Sequence, residues 1–70
     1  MAKKYQRIEN TRIDLDLSQQ EIADRLGITR VTYNSYEKGR TKISVEIMEA
    51  LALLLGVTVA YLIGETDIKE

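Results

Sequence analysis

The chain has seventy residues, with ten Lys or Arg against eleven Asp or Glu, a formal net charge of −1, and no His, Cys or Pro. That length fits one domain, near the size at which a single apolar core only just offsets chain entropy. Without His or Cys, disulfides, thiolate chemistry, the usual zinc ligands and every imidazole base are excluded, so no catalytic residue, metal site, cofactor or enzymatic activity is expected.

Residues 1–4 lead into a charged segment rather than a signal peptide. The longest apolar run, "ALALLLGVTVAYLIG" at 50–64, is interrupted by Gly56 and Thr58 and is too short to span a bilayer. A soluble, cytoplasmic protein with no membrane partner is the expectation.

The elements follow in chain order as five helices, an all-α fold. Gly27, Gly39, Gly56 and Gly64 each follow a helix-compatible segment, as residues that accept a left-handed C-terminal cap do. The first helix is expected from Lys3 to Asp16, with Tyr5, Ile8, Thr11, Arg12 and Leu15 on one face. Arg12 therefore needs a partner among apolar neighbours. Ser18 is the N-cap of a second helix over Gln19–Leu26, with Glu21 as its capping-box partner and Ile22, Ala23 and Leu26 inward.

Thr29 caps a third helix from Arg30 to Lys38, with Tyr33 and Tyr36 on one side and Arg30, Val31, Asn34 and Ser35 on the other, Thr32 at the flank. Ser44 caps a fourth, whose expected buried stripe is Val45, Met48, Leu51, Ala52 and Leu55, with Glu46 and Glu49 near its positive end. Thr58 caps a short fifth helix through Val59, Leu62 and Ile63. The single domain spans 1–70, its core 7–65, and the polar tail 66–70 is expected to fray.

Overall charge argues against a polyanionic partner, but its distribution points the other way. Residues 25–42 hold five bases and one acid, a net of +4, whereas residues 43–70 hold one base and five acids, a net of −4. Such asymmetry steers one face toward a polyanion and repels it from the other.

Two short helices joined by a tight glycine turn, the second with a polar face, make a helix-turn-helix whose second helix suits the DNA major groove. With Gln19 as the first position, Ala23 falls at the fifth, where the helices nearly touch. Gly27 falls at the ninth, where the turn needs a positive φ, and Tyr33 at the fifteenth, an inward site.

The stretches "LSQQEIADRLGIT", "YEKGR" and "ALALLLGVTVAYLIG", in this order and spacing, make the segment from Arg7 to Glu65 resemble the lambda-repressor/Cro-like (XRE) family of DNA-binding domains. The resemblance implies a five-helix fold that binds operator DNA as a homodimer and regulates transcription. Asp16, Thr11 and Ile43 depart from the Gly, Leu and Pro frequent in the family, and Tyr33 is larger than its usual Ile or Val.

Arg30, at the exposed start of the third helix, suits both acceptors of a guanine edge or a phosphate. Val31 suits a thymine methyl, with partial packing on the second helix as the alternative. By the resemblance, Asn34 and Ser35 also reach bases or backbone, and Gln19 touches a phosphate or braces the first residue of the third helix. Thr32, Lys38, Arg40 and Lys42 are assigned to the DNA backbone, and Lys3 and Lys4 to no specific role. The family pairs Arg12 with Glu37 as a buried structural ion pair. Ile47, Leu53, Leu54, Ala60 and Tyr61 exceed what one core-facing stripe needs and suggest a dimer interface centred on Leu54 and Tyr61, the alternative being contact with the first helix or the tail.

The expected function is thus a sequence-specific transcriptional regulator, a repressor, that binds a near-palindromic operator as a homodimer through the major groove. A phage repressor, a Cro-like protein, a restriction-modification controller and an antitoxin all remain open. The rival class is a protein-interaction module with a toxin or an anti-repressor as partner.

Overall fold

A computed structural model describes residues 5–69 and contains five helices: α1 (Gln6–Asp14), α2 (Gln19–Leu26), α3 (Arg30–Lys38), α4 (Val45–Leu55) and α5 (Val59–Leu62). The expected start of the first helix at Lys3 lies outside the described residues, as does Glu70. Helix α2 packs on α3 and α4, α4 on α5, and α1 bridges α3 and α5. Tyr5, Ile8, Ile22, Ala23, Tyr33, Ile43, Met48, Leu51, Ala52, Leu55 and Leu62 form the core between them.

Both ends of most helices are closed by local chemistry. Ser18, Thr29, Ser44 and Thr58 each adopt an extended backbone and accept an N–H bond from the residue three positions on, and Ser18 with Glu21 completes a capping box. At the other end, the N–H of the residue after a left-handed position returns to the carbonyl five residues earlier, as in Ile28 to Ala23 and Arg40 to Ser35, both at 3.0 Å. The glycines serve α2 to α5, and Asp16 serves α1 at φ 57°.

That role for Asp16 corrects the first helix, which ends at Asp14 rather than Asp16. Leu17 N–H reaches Arg12 O at 3.1 Å and Asp16 N–H reaches Ile13 O at 3.0 Å, so the chain has already turned. Leu15, expected on the buried face, is 49 % exposed for that reason.

Three further expectations are corrected. Val45 is 72 % exposed although its spacing to Met48 fits the stripe. It occupies the first turn of α4, and Ile43, from the preceding loop, is the residue buried at this end of the core. Helix α5 stops at Leu62, leaving Ile63 as its exposed C-cap. The tail does not fray within the described residues: Thr58 N–H donates to Lys69 O at 2.9 Å. Arg7 Nη1 donates to Thr66 O at 2.6 Å and to Tyr61 O at 3.1 Å, while its Nη2 meets Asp67 Oδ1 at 2.6 Å.

Candidate nucleic-acid interface

The turn between α2 and α3 is built by Gly27. Its φ of 71° is one that an L side chain adopts only with strain, and an added Cβ would meet nothing within 4 Å, so conformation rather than space demands glycine here. Ala23 and Tyr33, both fully buried, then clamp the two helices face to face. The opposite side of α3 is thereby turned outward.

On that side Arg30 and Val31 are exposed, Val31 at 69 %, while Thr32, Asn34 and Ser35 are half-buried. Val31 therefore does not take the alternative of packing on α2. Lys38, Arg40 and Lys42 follow as exposed cations around the turn after α3, and Arg25 is exposed near the end of α2. Among the described residues none of these five bases is held in an ion pair.

The one acid of the segment is withdrawn from this surface. Glu37 is 1 % exposed and accepts from Arg12 Nε at 2.7 Å, Tyr33 Oη at 2.5 Å and Gln19 Nε2 at 3.0 Å. Arg12 also donates from Nη1 to Leu17 O at 2.7 Å, tying the C-terminal turn of α1 to the same cluster. No side-chain polar atom buried among the described residues lacks a partner, which is the condition under which a buried ion pair is tolerated. Burial opposes the charge on Arg12, but the hydrogen bond and charge of Glu37 outweigh it and raise its pKa above the ordinary value. Burial first, then the hydrogen bond to Glu37 and its charge, likewise raise the Tyr33 phenol.

The polar groups on the outward side have defined hydrogen-bond states. Ser35 Oγ donates to Val31 O at 3.2 Å, leaving its oxygen to accept from outside. Thr29 Oγ1 donates to Thr32 Oγ1 at 2.9 Å, so the Thr32 hydroxyl proton remains to be donated outward. Gln19, assigned to a phosphate or to the first residue of α3, braces the middle of that helix instead: its Nε2 donates to Asn34 Oδ1 at 3.0 Å as well as to Glu37. Neither the composition nor the helical projection signals that bond, which depends on the relative rotation of α2 and α3.

The residues suggested for a dimer interface divide. Leu53 is 84 % exposed, whereas Ile47, Leu54, Ala60 and Tyr61 are half-buried, Ile47 and Tyr61 packing against the core. The Tyr61 ring lies 4.5 Å from the Arg7 guanidinium carbon and 5.7 Å from Lys69 Nζ, so contact with α1 and the tail is realised at this position. Arg7 as the tail's anchor escaped the sequence reading, since the register of a returning tail leaves no periodic trace. Among the described residues no cluster of His, Cys, Asp and Glu fits a metal ion, and no helix is long and apolar enough to cross a membrane.

The fold and its polar outer face are those of a known class, and the model of the helix-turn-helix family matches residues 6–62. The chain belongs to the helix-turn-helix family. Its lambda-repressor/Cro-like (XRE) character agrees with its relatives. The transcriptional repressor RstR of cryptic phage CTXphi from Vibrio cholerae is 39 % identical over 66 residues, which cover 91 % of this chain and 60 % of RstR. The SPbeta prophage-derived uncharacterized HTH-type transcriptional regulator YonR of Bacillus subtilis (strain 168) is 36 % identical over 61 residues, 87 % of this chain and 56 % of YonR. The helix-turn-helix chain thus spans little more than half the length of these relatives. Among solved structures, the complex of SinR protein with SinI protein superimposes with a TM-score of 0.79 at 28 % identity, over 89 % of this chain and 61 % of that one.

Proposed function

We propose that this helix-turn-helix domain is a sequence-specific DNA-binding regulator of transcription, acting as a repressor. The observation that carries the reading is an uncovered α3 edge bearing Arg30 and Val31 together with Arg25, Lys38, Arg40 and Lys42, exposed and without an ion pair among the described residues, while the local acid Glu37 is buried against Arg12. The relatives named as a repressor and as a transcriptional regulator support it. In this reading Arg30, Val31, Asn34 and Ser35 meet base edges, and Thr32, Lys38, Arg40 and Lys42 hold the phosphodiester backbone, whereas Gln19, both of whose amide protons are engaged within the fold, leaves that set.

The regulator binds as a homodimer to a near-palindromic operator, with two copies of α3 in successive major grooves about one helical turn apart. Of the residues suggested for the interface, Leu53 on α4 is the one left exposed to a second copy. A regulator that also takes a protein partner is the second reading, favoured by the likeness to a SinR protein/SinI protein complex.

Selection of bound oligonucleotides from a random pool, repeated at low and moderate salt, tests the proposal. The expected product is one enriched motif whose affinity falls steeply with salt. Arg30→Ala should cost about 1 to 3 kcal/mol at one base position. Arg40→Ala should weaken all sequences alike and shallow the salt slope by about one. No enrichment and no salt-sensitive binding would refute DNA recognition, and uniform losses in both variants would refute this division of labour.

A further inference from the structure

The Gln19 amide joins the buried ion pair to the outer face of α3. Its Nε2 carries two protons, and both are used: one goes to Glu37 Oε1 and one to Asn34 Oδ1, each at 3.0 Å. The Glu37 end fixes the direction of this chain of bonds, because the carboxylate already receives Arg12 and Tyr33 and has only acceptor oxygens to offer. Gln19 must therefore turn its N–H side toward Glu37. Asn34, on the same nitrogen, must then turn its oxygen inward, and its own NH2 group is left facing away from Gln19.

We propose that Gln19 sets the hydrogen-bonding sense in which Asn34 meets DNA, making Asn34 a donor that selects guanine at one position of each half-site. The proposal rests on the DNA-binding reading above. A free asparagine pairs with adenine through two bonds, donating to N7 and accepting from N6. Here the accepting oxygen is turned toward Gln19 Nε2, away from a base edge met by the NH2 group. Guanine presents two adjacent acceptors, N7 and O6, in the major groove and suits a donor alone, whereas cytosine presents a donor and does not. Gln19 is accordingly a positioning residue, and the ion pair beneath it governs a surface choice through a single amide.

Measurement of relative affinities for operators varied one base at a time decides the matter, with the wild-type chain and the variants Asn34→Ala, Asn34→Asp and Gln19→Ala. In the wild type one position should prefer guanine over adenine. Asn34→Ala should flatten that position to within about twofold and leave the others unchanged, and Asn34→Asp, which still accepts from Gln19 but offers no donor, should also lose the preference for guanine. Gln19→Ala frees Asn34 to rotate, and adenine should gain about tenfold on guanine at the same position. The two Asn34 variants leave the contacts of Glu37 in place, so they keep the test alive should Gln19→Ala unfold. An Asn34→Ala profile identical to wild type, or a folded Gln19→Ala chain with an unchanged base ranking, would overturn the inference. Absence of any sequence preference in the wild type would instead overturn DNA reading itself.

Discussion

Arg12 carries more of the fold than any surface charge does, because its guanidinium serves α1, the turn after it, and α3 through Leu17 O and Glu37. Removing one member of a buried pair strands the other, at a cost of about 3 to 5 kcal/mol. Stability for a chain of this length is roughly 4 to 10 kcal/mol, so Arg12→Ala should lose much of it. Urea denaturation of Arg12→Ala, Glu37→Ala and the double variant should show two large single losses and a double loss well short of their sum. Additive losses, or an unchanged midpoint in either single variant, would mean that the pair does not act as a unit. By contrast the Arg7–Asp67 pair has a carboxylate side chain 94 % exposed and adds little as an ion pair. Arg7 holds the tail chiefly through the Thr66 carbonyl, which the same nitrogen links to Tyr61 O of α5.

Tyr33 gives the same cluster a dependence on pH. Its folded-state pKa lies above the ordinary value of 10.0, so as pH rises the unfolded chain loses this proton first. The stabilisation is complete below about pH 10 and declines as pH climbs toward the folded-state value. Melting temperatures measured between about pH 9 and 11 should therefore fall more steeply for the wild type than for Tyr33→Phe. Parallel slopes would show that the phenol is not held protonated by the fold.

Helix termini are the element-scale device, and they explain which boundaries can be inferred from the amino acids. Ser or Thr before α2 to α5 and Gly after them place those ends to within a residue, because each end is decided by a local bond that the residue type announces. The end of α1 uses Asp16 in the same left-handed role, and aspartate at that place does not announce a stop. Asp16→Gly should raise stability by about 1 kcal/mol, by removing the left-handed penalty and a negative charge from the helix C-terminus. Gly27→Ala, where space is free but φ is 71°, should lower it by about 1 to 2 kcal/mol. Equal denaturation midpoints for wild type and both variants would contradict this account of the turns. The burial of Ile43 in place of Val45, the return of the tail to Thr58 and the Gln19–Asn34 bond were hidden for a different reason. Each depends on how elements sit against one another, which periodicity along a single helix does not encode.

At the scale of the whole molecule, the basic segment 25–42 runs from the end of α2 through α3 and the turn after it, while the acidic excess belongs to the sequence from α4 onward. In the proposed reading this distribution favours approach of a polyanion from the α3 side. Leu53, 84 % exposed on α4, is the residue whose replacement by a charged side chain should separate folding from assembly. Leu53→Glu should leave the melting temperature of the isolated domain nearly unchanged. It should also convert a sedimenting dimer to monomer and weaken binding to a full operator more than to a half-site. A variant that sediments as the wild type does would place the interface elsewhere. The central claim, that the outer side of α3 meets DNA, is tested most directly by mapping amide chemical shifts of the labelled chain during titration with its selected operator. The predicted changes are largest at the start of α2, along α3 and through Lys38 to Lys42, and changes concentrated on α4 and α5 with α3 unmoved would contradict it.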